Sequence, residues 1–531
     1  MGVGGDWTRT NWAGVPLRMR IVLGYPSLDD PRGFVQVSQN RQSKIFSVGE
    51  EAAIFPCVMA WAATLLKQAG HEVLWLDGPT QGLTWDQCRD ALVTFQPDLV
   101  CWEVKTPSAK RAYQAVNDLK EVLPGTIVVL VGDHVTALPE EAVEATYVKD
   151  GVPVVVVLNG DYDYALMEIV RVLTGERSVF LPGGAHLPAY LRLTDCTECR
   201  IHYGFIWHQD TTTKLDTLPV IDRELCKWKL YSRMGNYLYR PGTHGYSARD
   251  CWWRHEGGCT FCSWTNTFKN YRTMSVDQFM ADVESAHALG AREYFDDAGT
   301  WAPPGQWFED ACTQLHRFNR GRRHHQARIA FGCNDRPGAR GRREYELLAW
   351  AGGRFILYGL ESANLVTLQR INKGQAAEDM RNAAKWASEA GLQPHLTVMF
   401  GYPWETHADA EHTVQLVHEL FDRGYANSMQ ATLLMPYPGT ALFREAQANG
   451  WLLTEDWNRY TMNECILKCP MSQSEVLEQI RECYRAAVSP RYILKKVLTV
   501  RSQDDLRFFW RGFKFWWGHL QDFSPLNSRR P

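Results

Sequence analysis

No run of eighteen apolar residues occurs anywhere in the 531 positions of this chain. No segment therefore reads as a membrane-spanning helix. Met1 to Pro16 is glycine-rich and polar and lacks the apolar core of a signal peptide, so none is expected. Charge of one sign is not in excess. A net charge of −3 and a pI near 6.6 exclude the basic surplus of a general nucleic-acid binder. Fourteen cysteines are too few for a disulfide scaffold at this length. Reduced thiols or metal ligands in a cytoplasmic protein are the better reading. There is no internal repeat, no low-complexity segment, and no G-x-G-x-x-G after the first strand pattern, which argues against a plain NAD site. What remains is the composition of a globular protein, 45% hydrophobic and 22% charged. It is long enough for two or three domains.

Past an N-terminal arm (1–18), residues 19–180 alternate strand and helix patterns. Met19–Tyr25, Glu72–Asp77, Asp98–Trp102, Thr126–Val131 and Pro153–Leu158 read as strands, and Ile54–Ala69, Trp85–Phe95, Ala109–Leu123 and Tyr164–Leu173 as helices. The nearly all-apolar Thr126–Val131 fits a strand buried on both faces. Repeated βα units imply a doubly wound, Rossmann-like parallel sheet, whose ligands sit beyond the carboxyl ends of the strands. The loops at those ends are Pro26-Ser27, Thr106-Pro107, Gly132-Asp133-His134 and Gly160-Asp161. A glycine there lets the backbone approach a ligand closely, although a tight turn explains it equally well.

Residues 181–243 read as a connector, rich in Pro, Gly and Thr and poor in periodicity. Cys196 and Cys199 lie here and could form half a metal site with Cys465 and Cys469; four unrelated thiols is the plainer reading.

Residues 244–450 begin with Cys251-Trp252-Trp253-Arg254-His255-Glu256-Gly257-Gly258-Cys259-Thr260-Phe261-Cys262. The spacing is C-x7-C-x2-C, and no fourth cysteine or histidine completes a tetrad nearby. Structural zinc is usually closed by four ligands. Three thiolates suit an iron–sulfur cluster with one iron left open. Zinc, or three ordinary thiols, remain the alternatives at this point. A helix Ser275–Leu289 follows, and then successive strands end in polar residues. These are Asp296-Asp297, Cys333-Asn334-Asp335, Glu361-Ser362, Gly401 to Glu405 and Met435 to Thr440. In a β/α barrel such positions share one rim, where catalytic residues belong. Any one pair could be a helix cap; five in series after a cysteine triad call for another explanation. Residues 451–531 read as helical. The segment 506–520 carries Phe508, Phe509, Trp510, Phe513, Phe515, Trp516 and Trp517 among Arg and Lys. It could lie on a membrane surface or simply pack on the barrel.

Taken together these residues resemble the cobalamin-dependent radical S-adenosylmethionine (SAM) enzymes. The resemblance runs from about residue 19 to 500 and rests on "VVLVGDHVTALPEEA", "VLNGDYDYALMEIV", "LDTLPVIDRELC", the cysteine loop, "YFDDAGT", "YGLESAN", "MFGYPWET" and "LLMPYPGTAL" in that order. It implies an α/β chain: a cobalamin-binding Rossmann-like domain, a partial (β/α)6 TIM-like radical SAM barrel, and a helical C-terminal region. It implies that Cys251, Cys259 and Cys262 hold a [4Fe-4S] cluster whose open iron chelates SAM. Phe261, Asp296, Asp297, Asn334, Glu361, Ser362, Gly401 and Glu405 would then surround SAM. Pro26, Thr106, Gly132, Asp133, His134, Gly160 and Asp161 would meet cobalamin.

Three departures stand out. The family's first cysteine gap is three residues and here it is seven. The D-x-H-x-x-G pattern that supplies a cobalt-ligating histidine is missing, so His134 is expected to be a polar contact rather than a cobalt ligand. "GDYDY" stands where the family often has "GEGE".

The activity implied is C-methylation of a small-molecule or lipid-like substrate, using a 5′-deoxyadenosyl radical and methylcobalamin. An external electron donor of flavodoxin or ferredoxin type would be its partner. A ring contraction or cyclisation by the same cofactors is the close alternative. A zinc-binding scaffold is the alternative of another class. No acid or base in the substrate pocket can be named from the sequence.

Overall fold

The computed structural model describes residues 17–28, 53–146, 160–176, 214–233, 236–268, 270–321 and 328–522, together with the strand segments 34–35, 45–46, 154–158, 191–193 and 204–208. Cys196 and Cys199 lie outside the described residues. In chain order the strands are β1 Arg20–Tyr25, β2 Phe34–Val35, β3 Ile45–Phe46, β4 Glu72–Asp77, β5 Leu99–Glu103, β6 Ile127–Val131, β7 Val154–Leu158, β8 Leu191–Leu193 and β9 Gly204–His208. They continue as β10 Gly242–Gly245, β11 Ala248–Arg249, β12 Arg272–Thr273, β13 Glu293–Asp296, β14 Ala330–Asp335, β15 Gly353–Glu361, β16 Gln393–Phe400 and β17 Ser428–Leu433.

The first sheet has the order β4-β1-β5-β6-β7-β9-β8, parallel except at the β8–β9 edge. Every residue of β5 and β6 is buried. Alternation splits them between two cores. Val100, Trp102, Val128 and Leu130 pack on one face, under the helices Trp85–Phe95 and Ala109–Val122. Leu99, Cys101, Ile127, Val129 and Val131 face the other way and join a core that continues into the second half of the chain. The strands β8 and β9 come from the segment read as a connector. Two β-rich stretches there extend the sheet edge despite their weak periodicity.

The second sheet, β10-β13-β14-β15-β16-β17, is parallel throughout and curls into a half-barrel. Several of its helices start at a capping side chain. The Ser275 side chain accepts from the Gln278 N–H, and Thr406 and Asp409 form a reciprocal capping box. Cys333, Asn334 and Asp335 lie within β14 rather than beyond it, because the strand starts at Ala330 and runs longer than its apolar part.

The rest of the connector is a buried strap. Leu215, Leu218, Ile221, Cys226, Trp228 and Tyr231 are all in the core. Arg223, 1% exposed, forms two bonds to Asp282 at 2.7 and 2.6 Å and one to the His244 carbonyl. Tyr231 donates to Asp77 at 2.5 Å, and Trp61 donates to the Pro219 carbonyl at 2.9 Å. Irregular backbone avoids the penalty of burial when its polar groups are paired in this way. Among the described residues no helix is long and apolar enough to cross a membrane.

Candidate functional site

The ribbon β11–β12 pairs Arg249 with Arg272 and so closes the base of the loop that carries all three cysteines. Cys251 begins a single 3-10 turn, Trp252–Glu256, and Cys262 N–H bonds back to the Cys259 carbonyl at 3.2 Å. The following loop is drawn in by Gly299, where an added Cβ would sit 3.0 Å from that of Cys251. Cys251 Sγ is 3.1 Å from the Thr300 hydroxyl, and an Arg336 nitrogen is 3.8 Å from Cys259 Sγ.

All three thiols open on one cavity of about 700 Å³. Burial pushes the Cys251 thiol up, and it pushes Cys262 up to about 12, with nearby Cys259 adding to the effect. Thiolates at these positions need positive charge close by. Among the described residues, no three His, Cys, Asp or Glu side chains converge closely enough for a single metal ion. A cubane cluster asks for less convergence, since each thiolate binds a different iron. Three half-buried thiols on one wall, with a cation beside them, fit such a cluster.

The long gap between the first two cysteines is used structurally. Trp253 donates to the Asn372 carbonyl at 2.8 Å, and its ring lies 4.1 Å from the Arg336 guanidinium. Arg254 folds back on Asp250 and the Phe268 carbonyl. Asp250, just ahead of Cys251, is held at φ +67.

Phe261, Asp297, Asn334 and Glu361 line the cavity with the cysteines. Asn334 donates to Asp297 at 3.0 Å. Glu361 sits at φ +62 where the β15–β16 register shifts, and it pairs with Lys373 at 2.8 Å. A buried residue in that conformation stores about 1–2 kcal/mol of strain and is held by its surroundings, a pattern that clusters at functional sites.

Asp296, Ser362, Gly401 and Glu405, expected beside them, do not line the cavity. Each is turned into the protein by its own hydrogen bonds. Asp296 accepts from the Ser247 and Ala298 N–H groups, both at 3.0 Å. Ser362 accepts from the Asn364 N–H. Glu405 accepts from the Gly401 N–H at 2.8 Å and so closes its own turn. Burial raises the Asp296 carboxyl to about 7 and the Glu405 carboxyl to about 8.

Arg336, Lys373 and Thr300 also line the cavity and were not singled out from the sequence. Arg336 had a signal, because it directly follows the strand end at Asp335. Lys373 had none, since only the turn after the helix Leu365–Arg370 brings it to Glu361.

The loops of the first sheet are turned towards the cysteine region, and protein groups occupy them. The helix Asp133–Ala137 packs against the helix Trp264–Thr267, which follows Cys262. Gly160 admits the Phe268 ring, which an added Cβ would meet at 2.2 Å. Asp161 pairs with Arg272 at 2.6 Å, and Asp163 with Arg249 at 2.5 Å. His134 has its Nδ1 3.1 Å from the Thr106 hydroxyl and its Nε2 3.3 Å from Glu141, which Trp457 also holds. Both ring nitrogens thus have protein partners. Asp133 lies 3.2 Å from Lys105. Pro26 follows the first strand and is buried. The cavity meets this domain at Ile54. Cys465 and Cys469 stand near one another, with Cys469 bonded to the Glu405 carbonyl.

Comparison with known proteins gives this geometry a context. The family model of the B12 binding domain matches residues 54–168, and that of the radical SAM superfamily matches residues 248–417. The chain is 25% identical over 447 residues to an uncharacterized methyltransferase of Pyrococcus horikoshii, covering 83% of this chain and 89% of that protein. It is 22% identical over 442 residues to the anaerobic magnesium-protoporphyrin IX monomethyl ester cyclase of Rubrivivax gelatinosus, covering 81% of this chain and 73% of that one. The structure of the radical SAM methyltransferase TsrM from Kitasatospora setae, with cobalamin and a [4Fe-4S] cluster bound, shares the fold. Its TM-score is 0.60 at 16% identity, over 88% of this chain and 85% of that one. With the two domains in this order and a cysteine loop facing both, the chain belongs to the cobalamin-dependent radical SAM enzymes.

Proposed function

We propose that this enzyme methylates an unactivated carbon of an apolar small molecule or lipid held in the cavity. One observation carries the reading: the three cysteines open on a cavity whose wall is largely hydrocarbon and thioether, including Met399, Met429, Met435 and Met462. Ionisable groups line it too, Asp297, Glu361, His395 and Lys496 among them, but none is a strong enough base to take a proton from an unactivated carbon, so radical chemistry supplied by cofactors suits it. Cys251, Cys259 and Cys262 would hold the cluster. Asp297, Asn334 and Glu361, which line the cavity beside the cysteines, would meet SAM, with Phe261 beside them. Asp296, Ser362, Gly401 and Glu405 set the turns behind. Bound together, the cluster and SAM supply a carbon radical, and cobalamin supplies the methyl group. Pro26, Thr106, Gly132, Asp133, His134, Gly160 and Asp161 would be the first domain's contacts to cobalamin, at loops where Gly160, Asp161 and His134 now meet protein groups. Arg336 keeps positive charge beside Cys259, and Lys373 fixes Glu361. An electron donor of flavodoxin or ferredoxin type completes the system.

Likeness to the cyclase of Rubrivivax gelatinosus favours a second reading, ring formation without methyl transfer. Incubation with methyl-labelled SAM separates the two. Label carried into product is expected; 5′-deoxyadenosine formation with an unlabelled cyclised product would overturn methylation.

A further inference from the structure

The last two helices, Pro490–Thr499 and Gln503–Asp522, differ from the rest of the surface. Half of the large apolar residues exposed among the described residues lie on them. Leu498 is 72% exposed, Leu494 62%, Leu506 60% and Trp510 59%. A patch of this kind marks an interaction surface. Its charge says which kind. Residues 490–514 carry seven Lys or Arg and two Asp, in a chain whose net charge is −3. Both aspartates are engaged: Asp504 pairs with Arg292 at 2.8 Å, and Asp505 caps its helix by accepting from Ser502. Arg491, Arg501, Arg507 and Lys514 are exposed beside the apolar residues.

The same helices wall the cavity. Ile493 and Phe513 line it and are also 39% and 45% exposed, so its far end opens within the patch. Lys496 and Val500 stand just inside.

We propose that this patch docks on an anionic lipid bilayer with the cavity mouth turned to the lipid. Exposed Leu and Trp enter the interface, while Arg and Lys meet the headgroups. An apolar substrate then passes from bilayer to cavity without crossing water. The docking stands without any reaction; only the substrate's route rests on the proposed function.

The test is co-sedimentation of the full chain with phosphatidylcholine vesicles, with and without phosphatidylglycerol. Binding is expected to rise at least ~tenfold with the anionic lipid and to fall in high salt. The exposed double variant Leu494→Glu/Trp510→Glu should lose it, and Arg507→Glu/Lys514→Glu should lose its lipid-charge dependence. Both variants should keep the wild-type circular dichroism, since these side chains support no core. Equal binding to both vesicle types, or unchanged binding by the variants, overturns the proposal. So does conversion of a dimer to a monomer by the variants without change in vesicle binding, which would assign the patch to a second copy. Because no SAM is present, failure here leaves the radical reading intact, and failure of methyl transfer leaves the docking intact.

Discussion

At the carboxyl ends of β1, β5 and β6, polar side chains bond to one another. Tyr25 donates to Glu103 at 2.5 Å, Lys105 bridges Glu103 and Asp133, and His134 lies between Thr106 and Glu141. At the carboxyl ends of β13, β14 and β15, Asp297, Asn334 and Glu361 instead border a cavity that three thiols share. Both rims come from the same parallel βα logic, but one is closed by its own charges together with arginines from the cysteine loop, and the other is left open. The difference lies in what covers each. The first rim meets the cysteine loop of the other domain, which brings Arg249, Arg272 and Phe268 to it. The second is covered by the apolar tail helices, which leave space. A buried charge is tolerated when paired, so the first rim doubles as the domain interface.

The largest effect should come from the open rim. Replacing Cys251, Cys259 or Cys262 singly by Ala should abolish 5′-deoxyadenosine formation and drop iron from about four per chain, read by anaerobic reconstitution and iron analysis. A Cys251→Ala variant that keeps its cluster would show that the seven-residue gap hides another first ligand.

The closed rim should answer in stability. Arg249→Met leaves Asp163 buried without its partner and should cost about 3–5 kcal/mol in urea denaturation. A loss under ~1 kcal/mol would mean that water reaches this interface and that the two rims are less different than their packing indicates.

The smallest effect separates turns from site. Burial holds the Glu405 carboxyl at about 8, above its ordinary 4.5, against the lowering effect of the Gly401 and Tyr402 N–H groups. The folded state therefore keeps a proton that the unfolded chain has already released. The stabilising contribution is full below pH ~4.5 and is lost as pH rises through about 8. Glu405→Gln should flatten that decline between pH ~5 and ~8, a difference on the order of 3 kcal/mol in unfolding free energy from urea denaturation, and leave deoxyadenosine formation in place. Lost SAM cleavage with an unchanged pH profile would put Glu405 in the site instead.

The strand-end rule found the second rim because each strand delivers one short polar loop, and proximity in that loop is local. It did not separate Asp297 from Asp296 or Glu361 from Ser362. Neighbouring residues point opposite ways, and which one faces the cavity depends on hydrogen bonds made by Ser247 and Asn364. It missed Lys373, which reaches Glu361 only through the turn after a helix. The connector's poor periodicity concealed a buried strap, because Arg223 and Tyr231 are satisfied by residues far away in sequence, Asp282 and Asp77.

By itself the sequence determined the two βα series, the three clustered thiols and the order of the motifs along the chain. Hydrophobic period and short-range spacing are local properties of a polymer, and they survive without knowledge of what packs where. Only the tertiary structure decided that the first rim is neutralised by arginines from the cysteine loop. Only it decided that Arg336 stacks on Trp253 beside Cys259 and that the aromatic tail walls the cavity and opens it to the surface. Those facts depend on contacts between residues up to hundreds of positions apart, where burial, and not sequence spacing, sets which groups must find partners.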